Sequence, residues 1–292
     1  LAGAIMCIKG FYSRTCNKET TLSLSANYSF TGNYYAGENG YKYVWGDEFN
    51  GTELNRSLWV DSGDTYETVS CLGTKCKARK SEGCYVENGN AVIYADHDPE
   101  TGDFTHRQIS TNGTHEFLYG CMEVRAKLSA YPGADAIWFS SRRGESGYSQ
   151  EIDLLEDLSY PENQFASNLH YWGESHYSLD SICPKDKVFK LANGALSDEY
   201  HIYTLQWDKD EIKYCVDGKV FFSYEIKNGM KDVGAEVFRQ ACQTLLSTTM
   251  GASTYGPKWK AGDPDRVELL VDYIRLYQRG SDNGYSRETL KK

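Results

Sequence analysis

Positive charge is in short supply in this 292-residue sequence, where 31 lysines and arginines stand against 41 aspartates and glutamates. Nucleic acid or an anionic membrane surface would favour a basic patch, so the balance argues against both as partners. No run of about 18 apolar residues occurs, which excludes a membrane-spanning helix. Stretches of sustained helical period are also few, which turns the fold reading toward strands. Prolines number six and methionines four. No initiating methionine precedes Leu1. The short apolar stretch from Leu1 to Met6 reads as the remnant of a processed or truncated leader, too short to be a signal peptide itself.

Aromatic side chains, by contrast, are abundant, with 23 tyrosines and six tryptophans. Such an excess suits β-strands and clefts that stack sugars, although strand packing alone accounts for it too. Nine cysteines point to an oxidising compartment, hence a secreted or cell-surface protein, and the odd count leaves at least one thiol free. Cys71, Cys76 and Cys84 lack the paired C-x-x-C of a zinc site, so a disulfide-tied loop is expected there. Cys121 and Cys215 lie in strand-like runs, where a buried inert thiol is the alternative. Gly89-Asn90 before Ala91-Val92-Ile93-Tyr94 reads as a turn and strand, and Val216-Asp217-Gly218-Lys219-Val220 as a hairpin with a type I′ signal. The stretch from Asp232 to Leu246 fits a short helix or a strand pair equally. Many short strands separated by turns favour an all-β sandwich, a class that runs to about 250 residues as one unit. Residues 1–40 read as an N-terminal extension packed on the sandwich, 41–280 as the sandwich and 281–292 as a polar tail that frays.

One stretch stands apart. Glu151-Ile152-Asp153-Leu154-Leu155-Glu156 places three carboxylates in an apolar, strand-like run. Alternation puts Glu151 and Asp153 on one face, with Ile152 and Leu154 on the other. Glu156 lies at an odd offset from Glu151, and a regular strand would bury it among apolar groups at a cost of several kcal/mol. One extra residue at Leu154-Leu155, a β-bulge, restores the phase and joins the three acids in one cluster. Strand-like runs flank the hexad: Tyr119 to Leu128, Ala136 to Phe139 and Asn168 to Trp172.

With these residues in view, the chain resembles the family 16 glycoside hydrolases, whose bulged signature is E-x-D-x-x-E. The resemblance runs from Tyr43 to Gln278. It includes Trp45-Gly46-Asp47-Glu48-Phe49-Asn50-Gly51, Arg107-Gln108-Ile109-Ser110-Thr111, Trp207 through Val216-Asp217-Gly218, and Val271-Asp272-Tyr273-Ile274-Arg275-Leu276-Tyr277. It implies a jelly-roll β-sandwich with a concave, open substrate cleft and a retaining, endo-acting β-glycosidase working as a monomer on a polysaccharide or oligosaccharide. Glu151 matches the nucleophile, Glu156 the acid/base and Asp153 the helper between them. Like-charge repulsion agrees with those roles, since it lets one acid keep a proton near neutral pH while another stays ionised.

Neighbouring residues give candidates for substrate contact. If Glu123 faces the cleft, so does Arg125; an ion pair on the outer face is the alternative. Asn168, His170 and Trp172 alternate on the strand after the acids and share one face. Trp138, Trp172 and Trp207 are candidate stacking platforms, with core packing the alternative for each, and Tyr214 matches a cleft aromatic of the family. The Trp-Pro-Ala and Trp-Pro of many β-1,3-glucanases are replaced by Ala134-Asp135-Ala136 and Gly147-Tyr148-Ser149-Gln150, so Asp135 and Tyr148 would give a more polar cleft wall. A β-1,3 or β-1,3-1,4 glucan is the first substrate reading and a galactan or host glycan the alternative. A non-catalytic carbohydrate-binding protein is the competing class. No cofactor is expected for catalysis; the resemblance implies a structural calcium at Glu48, Gly89 and Asp272.

Overall fold

The computed structural model describes residues 40–62, 68–131, 135–141, 148–157, 161–173, 176–178, 187–226, 237–252 and 258–280. Residues 1–39 and 281–292, where the extension and tail are expected, lie outside them. Eighteen strands are found among the described residues. In chain order they are β1 (Lys42–Asp47), β2 (Thr68–Val69), β3 (Lys75–Lys80), β4 (Tyr85–Glu87), β5 (Asn90–His97), β6 (Phe104–Ser110), β7 (Glu116–Phe117), β8 (Gly120–Lys127) and β9 (Asp135–Ser140). They continue with β10 (Ser149–Glu156), β11 (Gln164–Trp172), β12 (His176–Ser178), β13 (Val188–Lys190), β14 (His201–Trp207), β15 (Glu211–Val216), β16 (Lys219–Glu225), β17 (Cys242–Thr248) and β18 (Arg266–Gln278).

Pairing divides them into two layers. The cleft layer runs β11-β10-β9-β17-β6, with β12 and β13 on the free edge of β11 and β3 parallel to β6. The outer layer runs β1-β18-β8-β14-β15-β16, with β5 and β4 continuing from the first half of β18. A short β5–β6 pairing joins the two. This is the all-β sandwich that the strand pattern predicts and the jelly roll that the resemblance implies. Its core is built by alternation: Ile137, Phe139, Ile152 and Leu169 of the cleft layer meet Met122, Val124, Tyr203, Leu205, Tyr214 and Ile274 of the outer layer. Each large apolar side chain so buried contributes about 1.5–3 kcal/mol.

The turn and motif readings find physical reasons. Asp217 and Gly218 carry φ of 47° and 76° between β15 and β16, the two positive values a type I′ hairpin needs. In the Trp45 to Gly51 motif, Asp47 accepts from the Phe49 amide and the Trp59 indole, both at 2.9 Å. A Cβ on Gly46 would stand 2.5 Å from the Ile274 carbonyl oxygen, so glycine alone lets β1 approach β18 there. In the ambiguous stretch before Leu246, β17 begins at Cys242, and residues 232–236 lie outside the described set.

Among the described residues no disulfide joins Cys71, Cys76 and Cys84, which are built into different parts of the molecule. Cys84 is buried in the main core, whereas Cys76 belongs to a separate cluster with Phe104 and Met250. Cys71 donates to the Trp259 carbonyl at 3.7 Å. Cys121 and Cys215 are buried thiols, the alternative reading for that pair.

Candidate active site

Strand β10 carries the acids in the middle of the cleft layer. Against β9, Asp153 pairs with Trp138 and Leu155 with Ile137, so Leu154 is the extra residue and Glu156 returns to register opposite Ala136. The same shift appears against β11, where Asp153 faces Asn168 and Glu156 faces Ala166. A bulge leaves backbone groups outside the ladder, and buried ones need partners. The Ser167 hydroxyl supplies one, donating to the Leu154 carbonyl at 2.7 Å. The bulge puts Glu151, Asp153 and Glu156 on one face while Ile152, Leu154 and Leu155 stay in the core.

That face is shared by Ala136, Trp138 and Ser140 of β9, by Asn168, His170 and Trp172 of β11, and by Gln243, Leu245 and Ser247 of β17. The Trp138 indole donates to Ser247 Oγ at 3.3 Å, and Gln243 Nε2 donates to Ser140 Oγ at 3.3 Å. His170 Nε2 lies 3.4 Å from Asp153 Oδ2 and 4.0 Å from Glu151 Oε1. Its Nδ1 is 2.8 Å from Nε2 of His176 on β12. The His170 and His176 rings are within 9° of parallel with centroids 5.1 Å apart. Given that nitrogen contact, they lie edge to edge in one plane. Trp172 is parallel to both, 5.0 Å from each. Asn168 Oδ1 accepts from Ser178 Oγ at 3.3 Å, and its carbonyl accepts from the Tyr214 hydroxyl at 3.1 Å.

Asp153 is fully buried, and burial pushes its carboxyl well above the usual range. The charges of Glu156 and Glu151 push the same way, the buried Lys187 ammonium opposes them, and a hydrogen bond with Glu151 favours the protonated acid. These influences favour the protonated form of Asp153, with Glu151 as its hydrogen-bond partner. The trio titrates as a unit.

Several residues singled out in the sequence lie elsewhere. Glu123 and Arg125 sit on β8 in the outer layer, facing away from the core that Met122, Val124 and Ala126 build. Arg125 bonds Asp272 and covers the Tyr200 ring, while Glu123 is buried beside Tyr277 and Arg275. Their alternation is as read, but the layer is the other one. Asp135 shares a face with Ile137 and Phe139, so it points into the molecule and not into the cleft wall; its carboxylate accepts from the Ser129 amide at 2.6 Å and the Thr248 hydroxyl at 3.1 Å. Trp207 is a core residue against Phe117 and Tyr119, its indole donating to the Phe238 carbonyl at 3.1 Å. Tyr214 is also fully buried and reaches the site only from beneath, through Asn168. Tyr148 packs on Tyr171, which alternates with His170 and Trp172 and points to the other side of β11.

Sequence reasoning missed His176 and Lys187. His176 pairs with Trp172 across a tight return, so a search for the strand answering Asn168 to Trp172 would have found it. Lys187 carries no local signal; only the pairing of Val188 with Ala166 brings its neighbourhood near Glu156. The expected calcium site draws on main-chain carbonyls at Glu48 and Gly89 and on the Asp272 carboxylate, and among these groups the Asp272 carboxylate bonds Arg125. The Glu48 carboxylate is held by two bonds of 2.7 Å from Arg275. Gly89 forms the β4–β5 turn with φ of 74°.

The family model described as "Beta-porphyranase A-D, GH16 domain" matches residues 44–279, which contain both layers and the whole acidic strand. The chain belongs to glycoside hydrolase family 16. Among curated family 16 relatives, "Beta-glucanase" of Rhodothermus marinus is 24% identical over 82% of this chain and 85% of its own length. "Glucan endo-1,3-beta-glucosidase A1" of Niallia circulans is also 24% identical over 82% of this chain, which spans 38% of that longer protein. Of solved structures, the laminarinase catalytic domain from Thermotoga petrophila RKU-1 superposes with a TM-score of 0.64 at 24% identity, covering 82% of this chain and 98% of that one. A structure described as "Prominent members of the human gut microbiota express endo-acting O-glycanases to initiate mucin breakdown" gives 0.63 at 28% identity, covering 84% and 93%.

Proposed function

We propose that this chain is a retaining, endo-acting β-glycoside hydrolase of a β-linked polysaccharide. The observation that carries the reading is the bulge in β10, which sets Glu151, Asp153 and Glu156 on one face beside His170 and Trp138. Glu151 attacks the anomeric carbon while Glu156 gives its proton to the departing glycosidic oxygen, leaving a glycosyl ester on Glu151. Glu156, now a carboxylate, takes a proton from water, which displaces Glu151 and restores the starting configuration. Asp153 acts in the second half, where a hydrogen bond from it to Glu151 makes that carboxylate a better leaving group. Proton NMR of the first product tests the mechanism: the anomer released should match the bond cleaved, and early appearance of the opposite anomer would overturn it.

The first substrate reading is a β-1,3 or β-1,3-1,4 glucan, supported by the glucanase names of the curated relatives. A β-galactoside polymer or host glycan is the second, favoured by the porphyranase family description, by the O-glycanase relative and by the missing Trp-Pro signatures. Laminarin, mixed-linkage glucan, porphyran and mucin-type glycans, each scored for a ladder of oligosaccharides, separate the two. Some relatives are named as binding proteins, such as "Beta-1,3-glucan-binding protein" of Penaeus monodon. A clustered, self-repelling trio of acids favours the enzyme, since binding alone has no use for it.

A further inference from the structure

We propose that Glu151, Asp153 and His170 also form a binding site for a zinc-class divalent cation, and that the bound ion shuts the cleft down. One oxygen of each carboxylate and one ring nitrogen of His170 all lie within 4.8 Å of one another. Zinc takes nitrogen and oxygen ligands at about 2.0–2.2 Å, which puts neighbouring corners of its tetrahedron roughly 3.4 Å apart. His170 Nε2 and Asp153 Oδ2 stand at 3.4 Å, and Glu151 Oε1 at 4.0 Å from the same nitrogen closes with a small side-chain rotation.

Two independent features point to a ligand. Asp153 Oδ2 is buried and makes no hydrogen bond, although it is aimed at His170. Burying such an oxygen unpaired is costly, and a cation would satisfy it. The second feature is the back of the imidazole. Histidines that bind metal nearly always donate the other ring N–H to a partner that fixes the tautomer. His170 Nδ1 has that partner in His176 Nε2 at 2.8 Å, and Trp172 lies flat across the pair.

Charge favours occupancy. The charges of Glu156 and Glu151 act on Asp153 at this spot, opposed by the Lys187 ammonium. A dication relieves their mutual repulsion. His170 would bind through Nε2 with its proton on Nδ1, where it donates a hydrogen bond to His176 Nε2. Imidazole suits zinc and copper, whereas calcium and magnesium want six or more oxygens, so those ions are excluded. The inhibition rests on the proposed glycosidase reading, because an ion on the Glu151 lone pair stops it attacking; the binding does not.

The test is calorimetric titration of Zn²⁺ into the chelator-stripped full chain, alongside His170→Gln and His176→Ala. The wild type should bind one ion that His170→Gln weakens at least tenfold. His176→Ala should weaken it roughly 10- to 100-fold. Turnover on whichever polysaccharide the chain cuts should fall as that site fills and return with EDTA, while Ca²⁺ does neither. Equal zinc affinity in wild type and His170→Gln, or an ion bound at this site with full turnover, overturns the proposal. Should no polysaccharide be cut, the glycosidase reading fails and the titration still decides the site.

Discussion

Asp153 is the most deeply buried of the three acids, and its ionisation is opposed by burial and by the charges of Glu156 and Glu151. A group held neutral is mimicked better by an amide than a group that must ionise or give up a proton. Asp153→Asn should therefore keep a hydrogen-bond donor for Glu151 and lose only about 10- to 100-fold in kcat, whereas Glu151→Gln and Glu156→Gln should each lose roughly 10³-fold or more. Steady-state rates for the three variants on one soluble polysaccharide give the ranking. Glu151→Gln and Glu156→Gln remove charges that act against Asp153 at nearly constant shape, and Asp153→Asn exchanges one neutral group for another, so no urea midpoint should fall below that of the parent. Wild-type-like turnover in either glutamine variant would remove the catalytic assignment, while azide rescue of Glu156→Ala on an activated substrate would support the order of roles. Azide needs no base, and the ester on Glu151 still forms there.

At the level of elements, the bulge could be read from the chain because its cause is local: an odd offset between two acids in an otherwise alternating strand. The structure adds what spacing does not contain, the Ser167 hydroxyl that satisfies the bulged Leu154 carbonyl. Ser167→Ala leaves that buried acceptor unpaired, and stability should fall by about 1–3 kcal/mol in urea denaturation. Because the same bulge aims Glu156, kcat should drop with little change in KM; an unchanged kcat would separate the bulge from the chemistry. Alternation also told which residues share a face, but not in which layer a strand lies. Glu123 and Arg125 obey the same period of two as Glu151 and Asp153, yet β8 belongs to the outer layer. Asp135 was misplaced for a related reason. The parity of β9 follows from Ile137 and Phe139 facing inward, and an aspartate on that side is explained only by partners at Ser129 and Thr248 that no local pattern reveals. His170 and Trp172 kept company with the acids because their strand is the next one along the chain; Trp207 and Tyr214 belong to β14 and β15, whose core-facing aromatics look in sequence like cleft aromatics.

For the whole molecule, the buried acids set a dependence of stability on pH that runs opposite to the usual carboxylate case. Burial raises Glu123 to about 7 and Asp135 to about 6, and Asp153 moves in the same direction. Between their ordinary values near 4 and these raised ones, the folded chain binds more protons than the unfolded chain, so these groups make stability fall as pH rises. The contributions of Glu123 and Asp135 are fully present below about pH 4 and lost by about pH 7. Glu123 isolates the effect, since it lies in the outer layer with its Oε2 buried and unpartnered, the Arg275 charge offsetting only part of the cost of burial. Glutamine imitates the protonated acid. Glu123→Gln should match the parent near pH 4 in urea denaturation and exceed it at pH 8 by of order 1–3 kcal/mol. Turnover should be unchanged at both pH values if the outer layer takes no part in the chemistry. A variant that lost activity while keeping the parent's stability curve would return Glu123 to the substrate side, against the register that pairs it with Thr204 and Arg275. A stability gain that was the same at every pH would show instead that the glutamate is neutral throughout, and that its cost in the fold is one of shape and not of charge.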